Sequence, residues 1–359
     1  MKRIFGIALF AISLLALFAT AQPGTNSIDK LFAIDKKSGK IVSVEGVFKE
    51  SPSGVIVSAG GKEKARYSSA EIVKVELGDL PGLGAEDKSL LFSLENEKDF
   101  EKASRGYGSL AKKSQQNERV RRVLEFRELM AIVKATEAKD ESGFKASASD
   151  VADRLSAFAK ANSKSWEVWP ALQSAARLLA GLGQFDKAAG LLATLASTPE
   201  LDAELKADAK LAEIDYLLRS SNAATGRTEI ANLLKDKNVP SAGPARERLS
   251  LYDTWSKFSP PAPGTPAARP DELLNKLQAA IDAAKSPLAR AVGFNARGEL
   301  FLASGLPRDA MWEFLNVEVV YNQDKDEVTK AMRRLVQVFE AVGDKDRADQ
   351  YREKLRKGR

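Results

Sequence analysis

The hydrophobic period of this chain changes once, and that change fixes what it can fold into. Over residues 30–77 apolar and polar residues alternate, the period of strands with one buried face. "GDLPGLG", residues 78–84, is a linker by composition. Beyond it the period is 3.6 residues to the end of the chain. The expected fold class is therefore mainly α, with a small all-β unit at the front.

In the first part "KLFAID" is followed by the turn "KKSG" and then by "KIVSVEGVFKE". That run sets Val42, Val44 and Phe48 on one face across Gly46. "SPSG" is a second turn, and "VIVSA" and "KEKARY" flank Gly60 and Gly61, a two-residue hairpin signal. "SSAE" predicts a single helical turn at 68–71 before the last strand, "IVKVEL". Five short strands within 28–78 resemble a small SH3-like or Sm-like β-barrel. The resemblance implies a meander that curls closed and so removes its own edges.

The second part predicts helices at 86–95, 97–114, 117–138, 147–161, 165–181, 184–197, 201–219, 224–235, 244–257, 271–284, 288–304, 307–320, 326–341 and 345–357. Short turns between them predict antiparallel neighbours. One stretch cannot be helix: "SPPAPGTPAARP", residues 259–270, holds five of the 14 prolines. It divides the helical part into a first lobe, 86–258, and a second, 271–359.

Long helical chains are checked for repeats. "GQFDKAAGLL" carries Phe185 and Ala188, "GLPRDAMWEF" Ala310 and Phe314, and "GDKDRADQYREKL" Gly343 and Ala348. "EKDFEKASRGY" carries Phe100, Ala103 and Tyr107. Upstream, Phe294, Gly298 and Phe301 occupy the W, G and Y places of the pattern W-x2-L-G-x2-Y. Leu172, Ala176 and Leu179, and then Met332, Val336 and Phe339, occupy the same places in other units. Arg297 stands where the leucine belongs, and Val336 where a small residue belongs. The chain resembles a tetratricopeptide-repeat (TPR-like) array. That resemblance implies an α-solenoid of antiparallel helical hairpins with a concave groove lined by first helices. Gln173, Arg177, Asn295, Glu299, Lys330, Arg333, Gln337 and Glu340 would then face a protein or peptide partner.

The N-terminus is a separate object. Lys2 and Arg3, the apolar run 4–18 and "ATA" at 19–21 have the three parts of a secretory signal peptide. Fifteen helical residues span roughly 22 Å, short of the ~30 Å hydrocarbon core. The rival is an uncleaved anchor, since the uncharged stretch extends past Gln22. Cleavage near Ala21 places the protein outside the cytoplasm, periplasmic or secreted, with membrane contact only through the transient leader. The chain carries 55 Lys and Arg against 49 Asp and Glu, net +6, which reads as a solvated surface without nucleic acid as partner.

Cysteine and histidine are both absent. Ser-His-Asp and Cys-His nucleophile systems need an imidazole base. Common zinc sites need His or Cys, and haem and iron–sulfur ligation are equally unsupported. Carboxylate acid–base work, Ser-Lys dyads, Tyr or Lys chemistry and oxygen-only cation sites remain.

Near-matches to chemical motifs read better as structure. Gly181 and Gly183 open a glycine-rich stretch, but Asp186 stands where a dinucleotide fingerprint needs glycine, and a helix precedes it. "GLGAEDKS" places Asp87 at the obligatory glycine of a phosphate loop. "NQDKDE", 322–327, begins like a calcium loop but has Glu327 and Arg333 at the diagnostic sixth and twelfth places. Ser27/Lys30 and Ser109/Lys112 match Ser-x-x-Lys without companion motifs. No cofactor and no metal is expected. Trp166, Trp169, Trp255 and Trp312 sit in helical context that favours packing, with Trp166 and Trp169 on one face beside Pro170. Basic clusters at Lys112 and Lys113, at 119–122 and at the C-terminus read as helix ends and polar caps. The expected function is that of an exported, non-enzymatic interaction scaffold. The alternative is an envelope carbohydrate-binding or carboxylate-dependent carbohydrate-active protein.

Overall fold

The computed structural model describes residues 28–36, 38–236, 243–258 and 269–356. The expected leader, 1–21, and most of the proline-rich stretch, 259–268, lie outside the described residues.

Five antiparallel strands come first: β1 (Asp29–Ile34), β2 (Ile41–Ser51), β3 (Gly54–Ala59), β4 (Lys62–Ser68) and β5 (Ile72–Glu76). β2 serves two partners, pairing Ile41 to Gly46 with β1 and Val47 to Ser51 with β3. The changeover falls at Gly46, where a Cβ would stand 2.6 Å from the Ser58 carbonyl oxygen. Only glycine lets β3 approach so closely there. Gly60 and Gly61 both have positive φ, 58° and 76°, as a tight hairpin turn between β3 and β4 requires.

The expected barrel does not close. The strand order is β4-β3-β2-β1-β5, and the two edges, β4 and β5, do not pair. The helical part does what closure would have done. Trp166 packs with Leu31, Ala33, Val55, Val57 and Val75 in one buried cluster, with Phe126 against it. Along β5, the Arg127 guanidinium donates to the Val75 carbonyl at 2.6 Å. The apolar face is covered and a carbonyl of the β5 edge is capped.

Fourteen helices follow among the described residues: α1 (Ala85–Glu95), α2 (Phe100–Lys113), α3 (Glu118–Glu137), α4 (Glu141–Ala161), α5 (Val168–Gly181), α6 (Phe185–Ala196), α7 (Ala203–Arg219), α8 (Ala223–Lys235), α9 (Pro244–Ser256), α10 (Asp271–Ala283), α11 (Pro287–Ala303), α12 (Pro307–Val319), α13 (Lys325–Ala341) and α14 (Lys345–Arg356). The molecule is thus mainly α with a small open sheet at its front. Periodicity located every helix. The largest departure is α4, which begins at Glu141 and not at 147. Asp140 caps it, accepting from the Gly143 amide at 2.7 Å, ahead of any apolar repeat.

Each helix from α1 to α14 packs on its neighbour in sequence. In addition α3 touches α5, α7 touches α9, α9 touches α11 and α11 touches α13. The apolar core is continuous across the proline-rich stretch, since one buried cluster runs from Leu211 on α7 to Tyr351 on α14.

Three hairpins share one turn. Gly183, Gly305 and Gly343 have φ of 75°, 73° and 82°. In each, the residue after the glycine donates its amide five residues back: Gln184 to Leu179, Leu306 to Phe301, and Asp344 to Phe339. This closes the first helix and reverses the chain. Ala188, Ala310 and Ala348 then lie fully buried on the second helix, where any larger side chain would force the pair apart. At Gly298 a Cβ would meet the Phe314 ring at 2.5 Å, so α11 and α12 touch through the missing side chain.

Candidate functional site

α5 and α7 lie opposite α13, bridged by long side chains over a cavity of about 200 Å³. Helical spacing aims these residues. Lys330, Arg333, Arg334 and Gln337 form one stripe on α13, while Met332, Leu335, Val338 and Phe339 are buried on the other side. Arg177 and Gly181 face them from α5, and Tyr216 and Arg219 from α7. Phe185 completes the wall, its ring stacked on that of Tyr216 at 6.3 Å between centroids.

Five cations and one carboxylate, Asp326, line this cleft. Four of the cations are held. Arg177 donates to Glu137 at 3.0 Å and to Asp326 at 2.9 Å. Arg219 pairs with Asp215 at 3.3 Å and Glu299 at 3.1 Å. Lys330 pairs with Asp215 at 2.8 Å and Glu327 at 2.6 Å. Arg334 donates to Glu299 at 2.7 Å. Burial opposes ionisation of Asp215, yet the charges of Arg219 and Lys330 hold its carboxyl below the ordinary aspartate range. Burial likewise opposes the Lys330 charge, and Asp215 and Glu327 outweigh it, raising the ammonium well above its usual range.

Arg333 differs. It has no hydrogen bond and no ion pair among the described residues, and its guanidinium stacks over the Phe144 ring at 5.7 Å. Burial first, and then the nearby charge of Arg177, hold it below the ordinary guanidinium range, against the pull of Glu137. Its Nη1 lies 3.0 Å from where a Cβ on Gly181 would stand. The glycine thus makes room for a cation at the end of α5, whose last carbonyls carry partial negative charge.

The residues expected in the groove divide three ways. Arg177, Lys330, Arg333 and Gln337 line the cleft, although up to 160 positions separate them. Asn295 and Glu299 work inside the wall. Asn295 is buried and donates to the Glu327 carboxylate at 2.7 Å and to its backbone carbonyl at 3.1 Å, and Glu299 bridges Arg219 and Arg334. Gln173 and Glu340 lie outside the cleft lining: Gln173 is half-buried on α5, and Glu340 is exposed and pairs with Arg352 of α14. Sequence reasoning missed Tyr216, Arg219, Asp326 and Arg334. α7 carries no glycine turn, so it could not be aligned as a first helix. A signal was present in Glu213 and Asp215, charged residues that interrupt the apolar stripe of α7 and are buried in the fold.

A second cavity of about 380 Å³ lies between β5 and helices α1 to α3. Leu94, Phe100, Tyr107, Phe126 and Trp166 give it an apolar lining, with Lys74, Arg127 and Glu95 among its polar residues. Trp166 and Trp169 do not share a face as their spacing predicts. Trp166 precedes α5 and enters the sheet core, whereas Trp169 joins the core of α3 to α7. Trp255 is buried and Trp312 is 63% exposed.

The near-match motifs resolve into helix starts. Gly84 donates to Asp87 at 3.2 Å before α1. Asp324 caps α13 by accepting from the amides of Asp326 and Glu327. Among the described residues no group of acidic side chains is arranged to hold a metal ion, and no helix is long and apolar enough to cross a membrane. No protein-family model matches the chain, and no curated protein matches it.

Proposed function

We propose that this chain is an exported, non-enzymatic interaction protein built on a TPR-like array, and that its concave cleft takes a protein or peptide partner of the cell envelope. The observation that carries the reading is the convergence on one cleft of Arg177, Lys330, Arg333 and Gln337 from helices distant in sequence. Those positions come from the resemblance to first-helix groove residues. The recurrence of one glycine turn at Gly183, Gly305 and Gly343 supports the same repeat register. A carbohydrate-active alternative needs two facing carboxyls some 5–10 Å apart. The cleft lining offers Asp326 alone, engaged by Arg177, so the interaction reading is preferred.

The test is cross-linking in intact cells followed by pull-down of the tagged chain. The expected result is a reproducible partner in the extracytoplasmic fraction. Recovery of none across replicates, or of the chain in the cytoplasm, would sink the proposal.

A further inference from the structure

We infer that the cavity between β5 and helices α1 to α3 binds a single acyl chain ending in a carboxylate, with the chain laid along α3 and the carboxylate at Lys134. The site is separate from the cleft of α5, α7 and α13 and does not depend on the interaction reading.

Helical spacing builds the trough. Val123, Phe126, Arg127, Met130, Ala131 and Lys134 share one face of α3, and all of them line the cavity. Eleven steps of helical rise give this stripe a length of roughly 16 Å. α2 runs back beside it. The Arg127 guanidinium lies 6.0 Å from the Tyr107 ring, and the Lys134 ammonium 5.4 Å from the Phe100 ring. One lipid leaflet supplies about half of the ~30 Å hydrocarbon core, so its acyl chains reach about 15 Å. The trough has that length. Its volume, about 380 Å³, falls in the range of small-molecule pockets.

The lining grades from dry to wet. Val75, Leu94, Ala103, Val123 and Trp166 are buried, whereas Val73 is 47% exposed and Lys134 is exposed. An apolar chain gains free energy by covering such a floor. The charges of the lining are engaged, with one exception. Glu95 accepts from Lys74 at 3.0 Å and from Arg127 at 3.1 Å, and Glu97 pairs with Lys102 at 2.6 Å. Among the described residues no carboxylate pairs with Lys134. An anionic head belongs at that end. A cationic head would be repelled by Lys134, and the protein's own cations already stand over the Phe100 and Tyr107 rings.

A peptide fits this trough less well. Its N–H and C=O groups need partners once buried. Arg127 already takes the Val75 carbonyl on the β5 edge, at 2.6 Å. The buried side-chain polar atom of the lining that lacks a partner is the Trp166 indole nitrogen, a single donor. An acyl chain brings no such groups below its head.

The experiment is an NMR titration of the purified chain labelled at its methionine methyls. Met130 lines the cavity, and Met311 and Met332 do not. The probes are octanoate, decanoate and dodecanoate below their micelle concentrations, dodecyltrimethylammonium, and acetyl-trileucine amide. Dodecanoate is expected to shift the Met130 methyl saturably, one molecule per chain, and to leave Met311 and Met332 in place. Affinity should rise about 15-fold from octanoate to decanoate, the effect of two buried methylenes. K134E should weaken dodecanoate binding roughly 2- to 30-fold, since it removes one exposed attraction and adds one repulsion. A131L, which fills the trough, should abolish binding while the Met311 and Met332 signals stay native. Where A131L does not fold, the chain-length series and K134E decide. The inference is overturned by a Met130 methyl that dodecanoate leaves unmoved, or by equal movement of all three methyls. It is equally overturned by affinity that ignores chain length or K134E, or by dodecyltrimethylammonium or the tripeptide binding as tightly as dodecanoate.

Discussion

Two charged clusters hold this molecule together, and they are built to opposite rules. Where the sheet meets the helices, Arg119 reaches Asp29 at 2.6 Å and Glu50 at 2.9 Å, and Arg122 reaches Glu50 and Glu167, the latter at 3.2 Å. Two cations there serve three carboxylates. In the cleft five cations meet five carboxylates, yet the placement is uneven. Asp215 and Glu299 each hold two cations, and among the described residues no carboxylate pairs with Arg333. The first cluster is closed, with every cation engaged, and reads as a clasp. The second leaves a cation facing open space. The proposed partner-binding surface is marked by a cation that no carboxylate holds, not by the size of its cavity, since the cavity beside β5 is the larger of the two.

Asp215→Asn should strain this contrast most. Asp215 is 3% exposed and stands between Arg219 and Lys330. Removing its charge leaves two cations buried with one carboxylate fewer. A loss of about 3–5 kcal/mol in urea denaturation is expected, the scale for breaking a buried ion pair. The folded pKa is depressed, so this stability is present above the unfolded aspartate value and is lost as pH falls through the folded one. The wild type should therefore keep it at mildly acidic pH. An Asp215→Asn chain within 1 kcal/mol of wild type would show that the cleft network carries no weight.

Much of this was legible beforehand, because the fold rests on local signals. Period 2 and period 3.6 separate the sheet from the helices, and glycine two residues before F-D-K, P-R-D or K-D-R marks the shared turn. The open sheet was not legible. Closure is decided by what covers the apolar face, and Trp166 arrives there from more than 90 positions away. The cleft was half legible. On α5 and α13 the repeat register picked Arg177, Lys330, Arg333 and Gln337, which line the cleft, and also Gln173 and Glu340, which do not. It could not predict that Arg177 on α5 reaches Asp326 on α13, because that depends on small packing angles summed over many helices. Nor could it separate Arg333 from Arg334, neighbours in sequence with opposite fates: one is bound by Glu299 and the other is left free of carboxylates.

Gly181→Ala probes that distinction with a smaller effect. A Cβ there would lie 2.7 Å from the Phe144 ring and 3.0 Å from Arg333 Nη1. Both neighbours are ends of side chains that can give way, so the cost should sit near the low end for overpacking, about 1 kcal/mol. The sharper readout is the Arg333 side-chain NMR signal, which should move even where stability hardly changes. An unmoved signal would mean that Gly181 does not make room for the guanidinium.

The smallest expected effect tests the clasp. Glu167 is fully buried, and burial pushes its carboxyl up, with Glu50 adding to the rise and Arg122 opposing it. A raised folded pKa means that the native state takes up the proton first. Between the unfolded and folded values, stability falls as pH rises, because the native chain must then hold a charge in a dry place. Glu167→Gln removes that term and leaves Arg122 its contact with Glu50. At neutral pH the change should stay within about 1 kcal/mol, since a buried pair gains little over a neutral replacement. The variant should compare best with wild type near pH 7 and fall behind as pH drops toward 4.5. Urea denaturation of both chains across that range reads this difference directly. If the gap between them widens as pH rises beyond neutral in the wild type's favour, the Glu167 charge stabilises the clasp, and the two clusters follow one rule after all.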